Sequence, residues 1–155
     1  MGDSEIDSRL VIRKMRENDL ESVYQVEKQA HIQPWSLKVL SECFHSDYLC
    51  FVATNGIPVC GHIILSTILD ESHLLNVCVS LEHQGNGVGY NLICEGIAQV
   101  SQVGAKKMFL EVRRSNIAAI GLYKSLGFVE IGVREDYYRN SRFKEDALVF
   151  ALDIG

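Results

Sequence analysis

Residues 73–93 read HLLNVCVSLEHQGNGVGYNLI, and their reading decides the fold. The first eight, His73–Ser80, are rich in Leu and Val, as a central strand is. Three glycines follow at alternate positions, Gly85, Gly87 and Gly89. Beyond them Leu92, Ile93, Ile97 and Val100 recur at helical spacing, and Gly104 suits the left-handed residue that ends a helix. Lys106–Val112 (KKMFLEV) is the next strand. A helix and a short loop between two strands have the length of a right-handed parallel crossover. A parallel pair at the centre of an α/β domain is the expectation.

Upstream, Leu10–Met15 begins as an alternating, β-branched strand. Asn18, with Glu21 three residues on, predicts a helix N-cap, and Leu20, Val23, Tyr24 and Glu27 continue at helical spacing to Ala30. Pro34 breaks the chain, and Ser36 caps a short helix through Leu37, Leu40 and Cys43. Tyr48–Thr54 is a strand, Asn55-Gly56 signals a two-residue type I′ turn, and Ile57–Ser66 returns as its hairpin partner. Asp70-Glu71-Ser72 predicts a turn into His73–Ser80, a strand expected to be apolar on both faces.

Downstream, Ser115 or Asn116 caps a helix ending at Leu126, with Gly127 left-handed and Phe128 as its hydrophobic contact. Phe128–Arg134 and Ala147–Asp153 are the final strands, and EDYYRNSRFKED between them reads as a loop with an Asn-Ser turn. The expected order is β-α-α-β-β-β-α-β-α-β-β, a mixed α/β sheet of about seven strands in one domain over residues 1–155. Residues 1–8 are expected to be a flexible tail.

The bulk numbers narrow the function classes. A net charge of −5 argues against a surface that grips nucleic acid directly. No apolar run approaches the roughly 20 residues of a membrane span. The polar, acidic N-terminus is not a secretory signal, and Met1-Gly2 lacks the Ser or Thr that a myristoylation start wants where Ile6 stands. The five cysteines, Cys43, Cys50, Cys60, Cys78 and Cys94, are odd in number and without CxxC spacing. They read as reduced, buried thiols in a cytoplasmic protein. The histidines show no metal-binding spacing, so no metal is expected.

The glycine loop resists two motifs. Gly85-x-Gly87-x-Gly89 is not the dinucleotide G-x-G-x-x-G, and Tyr90-Asn91 stand where a P-loop needs Lys-Ser. What remains is Q-x-x-G-x-G, Gln84-Gly85-Asn86-Gly87-Val88-Gly89, opening a helix. Successive N–H groups at a helix start make an anion site. Taken alone, the loop fits that reading and a ligand-free turn equally.

A second stretch breaks the tie. Glu111-Val112-Arg113-Arg114-Ser115-Asn116 leads into Ala119-Ile120-Gly121-Leu122-Tyr123 and Leu126-Gly127-Phe128. With Q-x-x-G-x-G upstream, and with the same element order across nearly the whole chain, the sequence resembles the GNAT family of N-acetyltransferases. The early AHIQPWS and the late REDYY extend the resemblance to the RimI-type branch, which acetylates the N-terminal alanine of a small-subunit ribosomal protein. The resemblance implies acetyl-CoA as co-substrate and a protein N-terminus as acceptor. It implies a direct ternary-complex transfer, by a monomer or weak oligomer. It gives the pyrophosphate to Gln84, Gly85, Asn86, Gly87, Val88 and Gly89, and backbone polarisation of the thioester to the strand near Val77, Cys78 and Val79. Glu111 is then the general base, Tyr123 the general acid for the leaving thiolate, and Asn116 a cofactor contact on the same helix face. Trp35, Arg134, Tyr137 and Tyr138 line the acceptor side.

Two departures stand out: Gly85, where many relatives carry Arg, and His31-Ile32-Gln33 before Pro34-Trp35 in the acceptor loop. An acetyltransferase for a small amine or a lysine side chain, and a CoA-binding module without chemistry, are the competing readings.

Overall fold

The computed structural model describes residues 9–56, 58–140 and 142–155. Its elements are β1 (Leu10–Lys14), α1 (Leu20–Ala30), α2 (Leu37–Phe44), β2 (Leu49–Asn55), β3 (Val59–Ile68), β4 (Glu71–Val79), α3 (Val88–Gln102), β5 (Lys107–Arg113), α4 (Ile117–Ser125), β6 (Val129–Arg139) and β7 (Lys144–Asp153). The order is the one the sequence predicts. The chain forms two compact units.

The first unit holds the residues up to Ser66 together with Leu75–Gln99. Here β1, β2 and β3 pair antiparallel, and β4 follows β3 in the sheet. Val23, Leu40, Val52 and Ile64 form a core with Met15 and Leu20, and Trp35 packs against it. Leu92 and Ile93 of α3 are fully buried, as their helical stripe requires. Gly96 lets α3 close on the sheet, because a Cβ there would sit 3.1 Å from Ile63 Cδ1.

The second unit holds Thr67–Leu74 with Val100–Gly155. β4 pairs parallel with β5 from Glu71↔Lys107 to Leu74↔Leu110, which is the expected crossover pair. β7 inserts antiparallel between β5 and β6, so the seven-stranded order is β1-β2-β3-β4-β5-β7-β6. The C-terminus of α4 is a Schellman motif. Phe128 N–H donates to Tyr123 C=O at 3.1 Å and Gly127 N–H to Lys124 C=O at 3.0 Å, with Gly127 at φ 100°.

Five local expectations change. Asn18 is not the N-cap of α1. A 3-10 turn, Glu17–Asp19, precedes that helix, and Asp19 stands at its N-cap position without a side-chain cap bond to α1; the carboxylate instead accepts from Arg16 N–H at 2.7 Å and pairs with Arg13. Asn55-Gly56 is not a two-residue type I′ turn. Only Gly56 has positive φ, and Asn55 stays in β2 with its N–H on Pro58 C=O, so the loop is longer. Ile57, the predicted start of β3, lies outside the described residues. Glu71 and Ser72 belong to β4, and the turn falls one step earlier, at Leu69 with φ 58° and Asp70.

β4 is not buried on both faces. Ser72, Leu74, Asn76 and Cys78 point inward while His73 and Leu75 are exposed, the alternation of a half-covered strand. Finally, most of EDYYRNSRFKED is not a loop. β6 and β7 continue through it as a hairpin, pairing Tyr138↔Glu145 and Arg139↔Lys144 after an irregularity where Asp136 takes φ 52°. The Asn140 carboxamide closes the turn by accepting from Arg142 and Phe143 N–H. Ser141, the other half of the predicted Asn-Ser turn, and the tail 1–8 lie outside the described residues.

Candidate active site

In the first unit the glycine loop leads into the N-terminus of α3, a 15-residue helix. Gly85 and Gly87 have φ of 81° and 85°, conformations that side chains with a Cβ rarely adopt. A Cβ at Gly85 would meet nothing within 4 Å, so the loop is open above it. The first N–H to find a helical acceptor is that of Asn91, on Gly87 C=O at 3.0 Å. The preceding N–H groups are those a helix start leaves unpaired, at its positive end. Gln84 fixes the loop by donating its amide to Val79 C=O at 3.0 Å. Residues of this kind fit a pyrophosphate.

Val77 and Val79 of β4 are half-buried and Cys78 is buried. The β4–β5 ladder stops at Leu74↔Leu110, before these residues. Burial pushes the Cys78 thiol up, and it donates to a Glu27 oxygen at 3.3 Å. A neutral, hydrogen-bonded thiol is a poor nucleophile.

That contact belongs to a cluster the sequence reading did not single out. Glu27 is fully buried. Its Oε1 lies 3.1 Å from His62 Nε2 and accepts from Asn76 Nδ2 at 2.8 Å, and its Oε2 accepts from Trp35 N–H at 3.0 Å. His31 Nε2 is 3.0 Å from Asn76 Oδ1 and 3.8 Å from Glu27 Oε2. Burial alone would raise the Glu27 pKa, but the donors around it, His62 and Trp35 foremost, hold it down at about 2. Glu27, His62 and Cys78 bring donor atoms within 4.8 Å of one another, a spacing a metal could share. The surroundings favour hydrogen bonding. Asn76 presents a donor to the same oxygen, and His62 Nδ1 lacks the partner that orients a ligating imidazole. The signal was present in the sequence: Glu27 and His62 are ionisable residues on apolar faces.

In the second unit, Glu111 of β5 is partly exposed and accepts from Arg134 of β6 at 2.8 Å. Its partner is therefore neither neighbouring arginine: Arg113 pairs with Glu145 and Arg114 with Asp146. Arg134 lies over the Tyr137 ring at 4.1 Å, Arg113 over Tyr138 at 4.2 Å, and the two tyrosines meet edge-on at 5.1 Å. Burial first, then the Glu111 charge, raises Tyr138 to about 12, so it stays a neutral phenol at pH 7. Glu111, Arg134, Tyr137 and Tyr138 thus come together on the β5-β7-β6 face. Asn116 caps α4 by accepting from Ala119 N–H at 3.2 Å. Tyr123 is 5% exposed, its ring against Phe128 and Phe150.

Residues 11–128 match the model of the acetyltransferase (GNAT) family, and the chain belongs to that family. It is an N-acetyltransferase, an acyl-transferring enzyme. Among its relatives is the [ribosomal protein bS18]-alanine N-acetyltransferase of Escherichia coli strain K12. The two are 37% identical over 143 residues, covering 92% of this chain and 97% of the relative. The protein of that name from Haemophilus influenzae is 35% identical, over 91% of this chain and 97% of its own length. The crystal structure of the ribosomal-protein-alanine N-acetyltransferase from Escherichia coli superposes with a TM-score of 0.88 at 36% identity, covering 94% of each chain. Among the described residues no helix is long and apolar enough to cross a membrane.

Proposed function

We propose that this enzyme acetylates the α-amine of a protein that begins with alanine, the N-terminus of ribosomal protein bS18 being the acceptor its relatives point to. One observation carries the reading above the others: identity of 37% runs over 92% of this chain to a relative named for that reaction. In this reading the chain acts as one domain. Acetyl-CoA, when bound, supplies an acetyl group activated as a thioester.

The chain's own residues supply the rest. Gln84–Gly89 and the start of α3 bind the pyrophosphate through backbone N–H groups, and Asn116 adds a contact. Glu111 takes the proton that the acceptor ammonium must lose before it can attack, directly or through a water. Its carboxylate is oriented by Arg134 at 2.8 Å. N–H groups of Val77–Val79 polarise the carbonyl. Tyr123, its ring fixed by Phe128 and Phe150, returns a proton to the departing thiolate. Trp35, Tyr137 and Tyr138 wall the acceptor, with Arg134 holding Tyr137 by its guanidinium. The buried, hydrogen-bonded Cys78 thiol supports direct transfer over an acetyl-cysteine intermediate.

Three acceptors test the reading: an Ala-starting peptide, an N-blocked Lys peptide and a polyamine. The Ala-starting peptide is expected to turn over fastest, and turnover of the polyamine alone would overturn the proposal. The pyrophosphate cradle has its own test. Gly87→Val forces a β-branched residue to φ 85°, and calorimetry is expected to show CoA binding weakened at least tenfold.

A further inference from the structure

We propose that Glu27 is a positioning residue for acetyl transfer: its buried carboxylate ties the acceptor loop at Trp35 to Asn76 and Cys78 of β4, fixing the acceptor wall against the strand beside the thioester. This rests on the function proposed above.

The residues between α1 and α2 carry no strand pairing of their own. The segment is held at one end by Ser36, which caps α2 by accepting from Val39 N–H at 3.2 Å. Next to it, Trp35 is held by Glu27. One carboxylate oxygen takes the Trp35 N–H, while the other gathers Asn76 and Cys78 from β4 and His62 from β3. A second bridge runs parallel, from His31 in the loop to Asn76 Oδ1 at 3.0 Å. Asn76 therefore receives the loop twice, once through Glu27 and once through His31. Its neighbours Val77–Val79 are the residues proposed to polarise the thioester.

A fully buried carboxylate is costly to desolvate, and apolar residues of similar volume usually stabilise a core as well or better. Its four donors come from two strands and a loop, and they converge on two oxygens. Such an arrangement fixes geometry more strongly than it adds stability. Nor does Glu27 reach the reacting atoms, since none of its surface is exposed. It acts through the loop and the strand that it joins.

Glu27→Gln is the discriminating change, because it keeps the volume and breaks the pattern. A carboxamide has one acceptor oxygen, whereas this site presents donors to both positions. Whichever way it flips, an NH2 group faces a donor, either Trp35 N–H or the His62–Asn76–Cys78 group. Trp35 is the single tryptophan, so its fluorescence reports this loop alone. Asn76→Ala is the second variant, because it cuts the strand end of the tie and leaves the Glu27–Trp35 bond in place.

The experiment measures, below the melting temperature of each variant, the KM for an Ala-starting peptide, the Kd for CoA, Trp35 emission and Trp35 amide exchange. For Glu27→Gln the expected result is a peptide KM raised about tenfold, a shifted Trp35 emission and Trp35 amide exchange at least tenfold faster. The Kd for CoA stays within twofold of the original. Asn76→Ala is expected to raise the peptide KM similarly while Trp35 N–H stays protected. A role in stability alone would lower the melting temperature and leave the KM of the folded fraction unchanged. A folded Glu27→Gln enzyme with unchanged peptide KM and Trp35 exchange would overturn the proposal. If Glu27→Gln does not fold, an unchanged KM in Asn76→Ala overturns it. Failure of the original chain to acetylate the peptide would sink the functional reading instead.

Discussion

At the residue scale, Glu111 and Tyr123 differ in setting, and the difference shapes what their variants should do. Glu111 is half-exposed and held by one ion pair with Arg134. Glu111→Gln keeps the shape and removes the base, so kcat is expected to fall by about 10²- to 10⁴-fold with CoA affinity within twofold. Steady-state kinetics beside calorimetry checks this, and an unchanged kcat removes the assigned role. Tyr123→Phe deletes one hydroxyl from a ring already packed on Phe128 and Phe150, so the fold is expected to survive while kcat drops at least tenfold. Glu111 and Tyr123 stand out in the sequence because the resemblance places them inside a spaced motif. Glu27 was not, because His62, Asn76 and Cys78 lie 35, 49 and 51 residues away in sequence. A linear pattern shows that a carboxylate falls on an apolar stripe. It does not show which donors will meet it.

At the element scale, helix ends were the most readable feature and hairpin ends the least. Ser36 and Asn116 cap their helices, and Gly104 and Gly127 end theirs with φ of 99° and 100°. Capping chemistry is local, so the residues themselves declare it. Asn116→Ala is expected to cost about 1 kcal/mol in urea denaturation. Gly96→Val is expected to cost about 1–3 kcal/mol by the same measurement. Its added carbons push on Ile63 and Leu65, which a Cβ would already approach to 3.1–3.2 Å. The hairpin of β6 and β7 escaped the reading because its outer residues are polar. Its pairing is satisfied by cross-strand partners and by stacking of Arg113 on Tyr138, not by an apolar run. Asn18 does not cap α1 because a 3-10 turn takes up Glu17–Asp19, and the Asp19 carboxylate goes to Arg16 N–H and Arg13.

On the scale of the whole molecule, the buried charges predict how stability follows pH. Glu27 is held at about 2, and Asp19 is held below the usual carboxylate range, first by its hydrogen bond to Arg13. A carboxyl whose pKa is lower folded than unfolded favours folding fully above its unfolded value, and that stability is lost as pH falls through the folded one. The loss from Glu27 should therefore fall between about pH 4.5 and 2, on the order of 3 kcal/mol. Urea denaturation across that range is expected to show a steep decline for the original chain and a shallower one for Glu27→Gln. Parallel slopes would sink the assignment. The sequence by itself determined the element order, the parallel crossover, the glycine loop that opens α3 and the family resemblance. Each of these depends on residues close together in the chain or on a fixed motif spacing. Only the tertiary structure decided which donors surround Glu27, which arginine holds Glu111, and how far β6 and β7 extend. Those outcomes depend on residues far apart in sequence, whose meeting is fixed by strand register and packing.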